Sequence, residues 1–201
     1  SPVADGDADG VSDACDPRPA MAGDQIVFFE GFGAGIPVGW SAEGGWVTAN
    51  GSVSVDATAE TSRLTVPGPT TLHETLSTSV KIDAIEPNAD ASVGLVNAYN
   101  ITDGIGVYCH LTRYATAQPL VVNQLQSQGA ISQNTSFEMA VTATYTMRFR
   151  RDSSAFGCQA GRDTTSATTP TLTSDRGPQR VGLRGSNVKA TFAWMMVVGN
   201  P

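Results

Sequence analysis

The sequence has little charge, few aromatic side chains and few cysteines. Charged residues make up 15% of the 201 residues, aromatic residues 7%, and cysteine occurs three times. No apolar run approaches the length that a membrane span requires. Phosphate binding needs a basic surface with clustered Lys and Arg, and here 19 Asp and Glu outnumber 12 Lys and Arg. We therefore expect neither a membrane span nor a nucleic-acid partner.

The acidity that is present belongs to the N-terminus. The net charge is −7, and residues 1–20 hold five Asp and one Arg, which is a balance of −4. The rest of the chain is nearly neutral and rich in Gly, Ser, Thr, Ala and Val. Such a composition favours short strands and many turns over helices. The sequence thus divides into an acidic arm, residues 1–20, and a body, residues 25–198.

The acidic residues of the arm follow the spacing of a calcium loop. Counted from Asp5, carboxylates occupy positions 1, 3, 5, 9 and 12, and Gly10 occupies position 6, where the chain must turn. Calcium takes six to eight oxygen ligands, and the carbonyl of position 7 supplies one of them. The predicted ligands are Asp5, Asp7, Asp9, the carbonyl of Val11, Asp13 and Asp16.

No helix can follow this loop closely, because Pro17-Arg-Pro19 comes directly after it. A helix-free loop ending in Asp-Ala-Cys-Asp-Pro resembles a thrombospondin type 3 repeat. That resemblance implies calcium as cofactor, and it leaves Cys15 available for a neighbouring repeat or another chain. Calcium loops of extracellular affinity favour a secreted or cell-surface protein. The alternative interpretation is an acidic, disordered tail.

The body alternates short apolar runs with turn signals, which predicts an all-β sandwich or barrel of about a dozen strands. Asn-Gly at positions 50 and 51 is a hairpin signal. Strands are expected at residues 25–32, 52–56, 63–66, 71–85, 91–99, 105–114, 120–126, 142–151, 155–160, 180–184 and 188–198.

Alternation along these strands predicts which side chains enter the core. Tyr145, Met147 and Phe149 should point inward, opposite Thr146, Arg148 and Arg150. The last strand should bury the row Val188, Ala190, Phe192, Trp194, Met196 and Val198.

The body contains several short motifs in a fixed order. They are Phe29-Glu-Gly-Phe, Pro37-Val-Gly-Trp, Gly104-Ile-Gly-Val-Tyr-Cys, Thr144-Tyr-Thr-Met-Arg-Phe-Arg and Val181-Gly-Leu-Arg. In this order the body resembles the concanavalin A-like, or laminin G-like, jelly-roll domains of secreted bacterial proteins. The resemblance implies two antiparallel sheets packed face to face, with glycans often bound on the concave side or its rim. Many members have Asp where this chain has Ala193, so we expect no second calcium site beside Glu30.

The strand at 105–114 is the candidate binding element. If Val107, Cys109 and Leu111 point inward, the opposite face carries Tyr108, His110, Thr112 and Tyr114, a polar aromatic stripe suited to sugars. Arg148 and Arg150 are expected to add donors if their strand is a neighbour. The alternative is that a loop covers this face or that water merely solvates it.

Cys109 and Cys158 both fall on inward phases of their strands, which suggests a disulfide, although two buried thiols would also pack. The leading functional hypothesis is a non-catalytic, calcium-bearing module that binds carbohydrate or adheres. The second is a structural subunit of a homo-oligomer or of a larger surface assembly, joined through the arm, exposed strands or Cys15. The third is a glycosidase whose two carboxylates come from distant strands, since the Glu-x-Asp-x-x-Glu segment of sandwich glycosidases is absent.

Overall fold

The computed structural model describes residues 4–13, 18, 20–58, 60–115, 120–126 and 132–200, with the backbone alone at 120–126 and 132. Within these ranges every regular element is a β-strand. The described residues contain no helix that could cross a membrane. The strands are β1 Gln25–Glu30, β2 Ser41–Glu43, β3 Trp46–Ala49, β4 Ser52–Asp56, β5 Thr61–Pro67, β6 His73–Ile85, β7 Ala91–Asn100, β8 Ile105–Arg113, β9 Leu120–Gln126, β10 Ser132–Ser136, β11 Thr144–Asp152, β12 Ala155–Arg162, β13 Thr165–Thr168, β14 Leu172–Thr173, β15 Arg180–Ser186 and β16 Val188–Gly199.

The strands form two antiparallel sheets, as predicted. The nine-stranded sheet has the order β13-β12-β11-β6-β16-β4-β3, with β1 beside β16 and β14 beside β12. The seven-stranded sheet has the order β10-β9-β8-β7-β15-β5-β2. Strands that are distant in sequence thus become neighbours, as in β1 and β16. The fold is the two-sheet jelly-roll sandwich expected from the sequence.

The Asn-Gly pair forms the predicted hairpin between β3 and β4. Asn50 has φ of 51° and Gly51 has φ of 70°, so both central residues are left-handed. A two-residue turn of this kind matches the right-handed twist of the strands that it joins. Asn and Gly adopt this conformation at lower cost than other residues.

The core lies between the sheets and follows the predicted alternation on β11. Tyr145, Met147 and Phe149 are fully buried, whereas Thr146 and Arg150 are exposed and Arg148 is half-buried. Each large apolar side chain that leaves water stabilises the fold by about 1.5–3 kcal/mol. This inward row therefore fixes which face of β11 meets the other sheet.

The predicted burial of β16 is correct except at Trp194 and Met196. Val188, Ala190, Phe192 and Val198 are fully buried, but Met195 and Val197 replace Trp194 and Met196 in the core. The pairing of β16 with β6 shifts between Phe192 and Trp194, which marks a β-bulge at Ala193. Because a bulge adds one residue to one strand, every later side chain changes face.

A disulfide joins Cys109 of β8 to Cys158 of β12, with 5.2 Å between their Cα atoms. These strands belong to different sheets, so they face each other across the core and are not neighbours within one sheet. The bond therefore crosslinks the two layers of the sandwich. Cys15 lies outside the described residues.

Candidate functional site

The candidate site is built on the outer face of the seven-stranded sheet. Val107, Cys109 and Leu111 of β8 enter the core, so Tyr108, His110 and Thr112 point outward. In the register, His110 pairs with Gly94 of β7, and Gly94 pairs with Arg184 of β15. Because glycine puts no side chain in this row, Arg184 reaches His110 across β7, with 3.2 Å between Nη1 and Nδ1.

The prediction of an open aromatic stripe is wrong for Tyr108 and His110, which point outward but are covered. Tyr108 is 1% exposed and His110 is 5% exposed. The Arg184 guanidinium lies 5.2 Å from the centre of the Tyr108 ring, and that of Arg63 lies 5.1 Å from the centre of the Tyr99 ring. Cations over aromatic faces are attracted to them, so the two arginines cover the rings and shield them from water.

The electrostatics keep His110 neutral. Burial and the nearby Arg184 charge lower the pKa of His110 well below its ordinary value. Arg184 can only donate, so His110 Nδ1 accepts its hydrogen bond and the ring proton resides on Nε2. Burial also lowers the pKa of Arg184 to about 10, which leaves the guanidinium charged at neutral pH. Arg184 donates a second hydrogen bond to Ser92.

A second polar cluster adjoins this row. Tyr99 Oη donates to Glu43 Oε1 at 3.0 Å, and Arg63 Nη1 forms an ion pair with Glu43 Oε2 at 2.9 Å. Burial raises the pKa of Tyr99 to about 12, and the hydrogen bond to Glu43 acts in the same direction. The phenol therefore remains a donor at all ordinary pH values.

This face also contains buried polar atoms without a hydrogen-bond partner among the described residues. They are Tyr108 Oη, Arg63 Nε, Arg184 Nε and Thr112 Oγ1. A buried donor or acceptor that stays unpaired costs about 1–3 kcal/mol. These atoms would therefore gain from ordered water or from a polar ligand.

One end of the face is open among the described residues. A groove of about 270 Å³ runs beside His110, lined by Asp90, Ala91, Ser92, His110, Thr112, Tyr114, Arg184 and Ser186. Asp90 Oδ1 accepts the amide of Ala115 at 3.0 Å, which holds its carboxylate at the rim. Tyr114 is half-buried and is the aromatic ring on the wall. The groove thus combines the Tyr114 phenol and the His110 imidazole with hydroxyls, one carboxylate and one guanidinium.

Arg148 and Arg150 do not belong to this site. Both lie on β11 of the nine-stranded sheet and point away from the core, on the opposite side of the sandwich. The expectation that they add donors beside Tyr108 is therefore wrong. Sequence reasoning also missed Arg63, Arg184 and Asp90. Alternation could have found Arg184, since the buried Val181 and Leu183 put it on the outer phase of β15.

The arm brings three of its predicted calcium ligands together. Asp5, Asp7 and Asp9 each offer an oxygen within 4.8 Å of the others. Gly10 N donates to Asp5 Oδ2 at 3.2 Å, and Gly6 N donates to Asp13 Oδ1 at 2.7 Å. Asp7 Oδ2 is buried without a partner among the described residues. Val11 is buried, and Asp16 lies outside the described residues.

The loop is attached to the chain that leads into β1. Asp9 Oδ2 accepts the amides of Gly23 at 3.1 Å and Asp24 at 2.7 Å. Arg18 forms an ion pair with the buried Asp24 at 3.0 Å. The Val11 amide, followed by those of Asp24 and Gly23, lowers the pKa of Asp9 against the opposing effect of burial. Asp9 therefore stays ionised while it connects the loop to the body.

By sequence, no family model and no curated protein matches this chain. By structure it is similar to the carbohydrate-binding module CBM66 from Bacillus subtilis, with a TM-score of 0.59, 13% identity and coverage of 77% of this chain and 91% of that one. Peanut lectin gives a TM-score of 0.61, 13% identity and coverage of 88% and 97%. A xylan β-1,4-xylosidase from Bacillus halodurans gives 0.65 and 13%, covering 89% of this chain but 40% of the enzyme. These likenesses show a shared β-sandwich fold.

Proposed function

We propose that the protein is a non-catalytic, extracellular carbohydrate-binding module that carries calcium in its arm. The observation that carries the proposal is the groove beside His110. It places the Tyr114 ring next to Asp90, Ser92 and Arg184, which offer acceptors and donors to a polyhydroxylated ligand. Sugars present apolar C–H faces rimmed by hydroxyls, so an aromatic ring beside such groups suits them.

The surrounding contacts favour binding without rearrangement. Arg184 is held by Ser92 and His110, and Asp90 is held by the Ala115 amide. Groups that are already fixed lose little conformational entropy when a ligand arrives. The fold shared with a carbohydrate-binding module and a lectin supports the same ligand class. Fold likeness alone does not define function, so the groove carries the argument.

The groove favours binding over hydrolysis. Glycosidases use two carboxyl groups that flank the scissile bond at a fixed separation. Among the described residues that line this groove, Asp90 contributes the one carboxylate. A bound glycan would thus meet a hydrogen-bond acceptor but no acid–base pair. We propose recognition of the glycan without cleavage.

The glycan proposal is tested on an array of neutral glycans with the intact protein. We expect binding that Tyr114→Ala weakens about tenfold, because an aromatic contact contributes on the order of 1 kcal/mol beyond its buried area. The matched control is Phe29→Ala, which removes an exposed ring on the other sheet and should leave this binding unchanged. Failure of every neutral glycan to bind, with and without calcium, would refute the proposal.

Calcium is proposed for the arm because three carboxylates converge there and Asp7 Oδ2 lacks a partner. The carbonyl of Val11 and the carboxylates of Asp13 and Asp16 would complete a set of hard oxygen ligands. Calcium would offset the repulsion among the carboxylates and hold the arm against the start of β1. Such loops bind calcium at extracellular concentrations, which supports an extracellular setting.

Calcium titration calorimetry and hydrogen exchange test this part. Asp7→Asn should abolish calcium binding, whereas Asp163→Asn, which changes a side chain that is 88% exposed, should not. Chelation should speed amide exchange in residues 4–13 and leave the strands protected. Loss of β structure throughout the chain on chelation would contradict the proposed role of the arm.

A further inference from the structure

The outer face of the nine-stranded sheet carries a second groove, centred on β6. Residues that pair across strands point to the same face, so the register defines rows along this surface. Thr75, Ser77 and Ser79 of β6 pair with β11 on one side and with β16 on the other. The rows are Trp194–Ser79–Thr146, Met196–Ser77–Arg148 and Val198–Thr75–Arg150.

The floor of this groove is made of short hydroxyl side chains. Ser77 is 2% exposed and Thr75 is 5% exposed, because both lie below the longer side chains of the neighbouring strands. Their hydroxyl oxygens are buried and have no hydrogen-bond partner among the described residues. A cavity of about 230 Å³ adjoins Thr75, Arg148 and Arg150 on the β12 side, where Gly157 and Gln159 also line it. The unpaired hydroxyl of Thr75 at this cavity would gain a partner from a polar ligand.

One wall is cationic. Arg148 and Arg150 are two residues apart on β11, which separates them by about 7 Å along the strand. Arg150 lies 4.0 Å from Asp152, and both side chains are about half exposed, which makes a weak ion pair. Arg148 has no acidic partner among the described residues. The positive charges of these two guanidinium groups are thus scarcely neutralised by acidic neighbours. Such a pair favours a ligand that carries carboxylates.

The other wall is aromatic. Phe29 of β1 is 60% exposed and stacks on Trp194, with 6.2 Å between ring centres and 25° between ring planes. The bulge at Ala193 creates this wall, since it moves Trp194 and Met196 from the core phase to the outer face. Two strand spacings, about 10 Å, separate Trp194 from the arginine strand β11, and three, about 15 Å, separate Phe29 from it. The hydroxyl floor lies between the two walls.

We propose that this groove binds an acidic glycan, a chain of sugar rings that carry carboxylates. The rings would lie on Phe29 and Trp194, their hydroxyls would meet Thr75 and Ser77, and their carboxylates would pair with Arg148 and Arg150. The net charge of the protein is −7, so general attraction of a polyanion is unfavourable and local recognition is needed. This site is separate from the proposed neutral-glycan groove and requires no calcium.

The test is titration calorimetry of the intact protein with oligogalacturonate and with oligomannuronate. We expect at least one to bind, and its methyl ester, which has the same rings without charge, to bind at least tenfold more weakly. Arg148→Ala and Arg150→Ala should each lower the affinity about tenfold, and Phe29→Ala several-fold. Lys189→Ala, which makes the same charge change at an exposed pair with Asp56, should have no effect.

Circular dichroism of each variant establishes that the sandwich is folded, as expected for side chains on the outer face. Tyr114→Ala should leave acidic-glycan binding unchanged, which separates this site from the groove on the other sheet. Absence of binding to both uronates would overturn the proposal. So would equal binding of the methyl ester, which shows that carboxylates are not recognised, or equal binding of dextran sulfate, which shows attraction by charge alone.

Discussion

Glu74 should make the stability of the protein fall as pH rises through neutrality. It lies on β6 and is 1% exposed, and Asn97 of the opposite sheet donates to its Oε1 at 2.9 Å. Arg151 on the neighbouring strand is 3.8 Å from the same oxygen, and Oε2 has no partner among the described residues. Burial raises the pKa of Glu74 to about 7, against the opposing effects of Asn97 and Arg151.

The sign follows from proton linkage. The ordinary pKa of the carboxyl group is 4.5, so between that value and about 7 the folded protein holds a proton that the unfolded chain releases. The stabilisation is fully present below about pH 4.5 and is lost as pH rises through about 7. At 1.36 kcal/mol for each pH unit, this interval corresponds to at most about 3 kcal/mol of unfolding free energy.

The perturbation is Glu74→Gln, measured by urea unfolding at several pH values from about 4.5 to 8. The unfolding free energy of the wild type minus that of the variant should fall by about 3 kcal/mol across this range. Above about pH 7 the variant also lacks the carboxylate that pairs with Arg151, an effect that already opposes burial in setting the pKa of Glu74. The slope of the difference is therefore the readout, and its absolute level is not.

Glu60→Gln is the matched control, because Glu60 is exposed and its replacement removes the same charge. Its stability curve should run parallel to that of the wild type over the same pH range. If the Glu74→Gln curve also ran parallel to the wild type, the carboxyl would titrate alike in the folded and unfolded chains. That result would refute the reasoning from burial.

Three further predictions concern stability. Replacing Cys109 and Cys158 together by Ala should lower the unfolding free energy by about 4 kcal/mol in urea titrations, because the bond closes a loop with a sequence separation of 49; unchanged stability would contradict this. Gly94→Ala should lower the melting temperature sharply, since an added Cβ would lie 2.2 Å from the Cys109 carbonyl oxygen. Gly157→Ala, where a Cβ meets nothing within 4 Å, should be tolerated, and equal effects would exclude a steric cause. Asn50→Ala should cost about 1 kcal/mol in thermal unfolding, because alanine is less tolerant of positive φ, and no change would show that the turn can relax.

The sequence predicts the fold well where local patterns agree with long-range packing. On β11, polar and apolar residues alternate without interruption, and burial follows the same alternation from Tyr145 to Phe149. The hairpin at Asn50 and Gly51 is equally local, since the φ values needed there suit those two residues. Both features depend on residues that are close in sequence, so the local sequence is enough to predict them.

The last strand shows what alternation cannot predict. The residues from Val188 to Val198 contain apolar side chains on both phases after Phe192, so either phase could enter the core. The bulge at Ala193 decides between them, and a bulge depends on the partner strand. Met195 and Val197 are therefore buried where the sequence favoured Trp194 and Met196.

For the candidate site, the sequence predicts which face of the strand each side chain is on. It does not predict how exposed the side chain is or which residues surround it. Tyr108 does lie on the outer face of β8, as its strand parity requires. Its burial depends on Arg184, which lies on β15 and is far from it in sequence, and Arg63 of β5 covers the neighbouring Tyr99 in the same way. The separation of Arg148 from this face depends on sheet order, which no local pattern contains.

The pairing of the first and last strands determines how the body would respond to mechanical tension. Gln25, the first residue of β1, pairs with Gly199, the last residue of β16, so the chain enters and leaves the sandwich at the same corner. Pulling on these two residues would open the β1–β16 ladder one hydrogen bond at a time, which takes less force than shearing all of its bonds together. The crosslink between Cys109 and Cys158 would then keep the chain between them from extending, even after both sheets had separated.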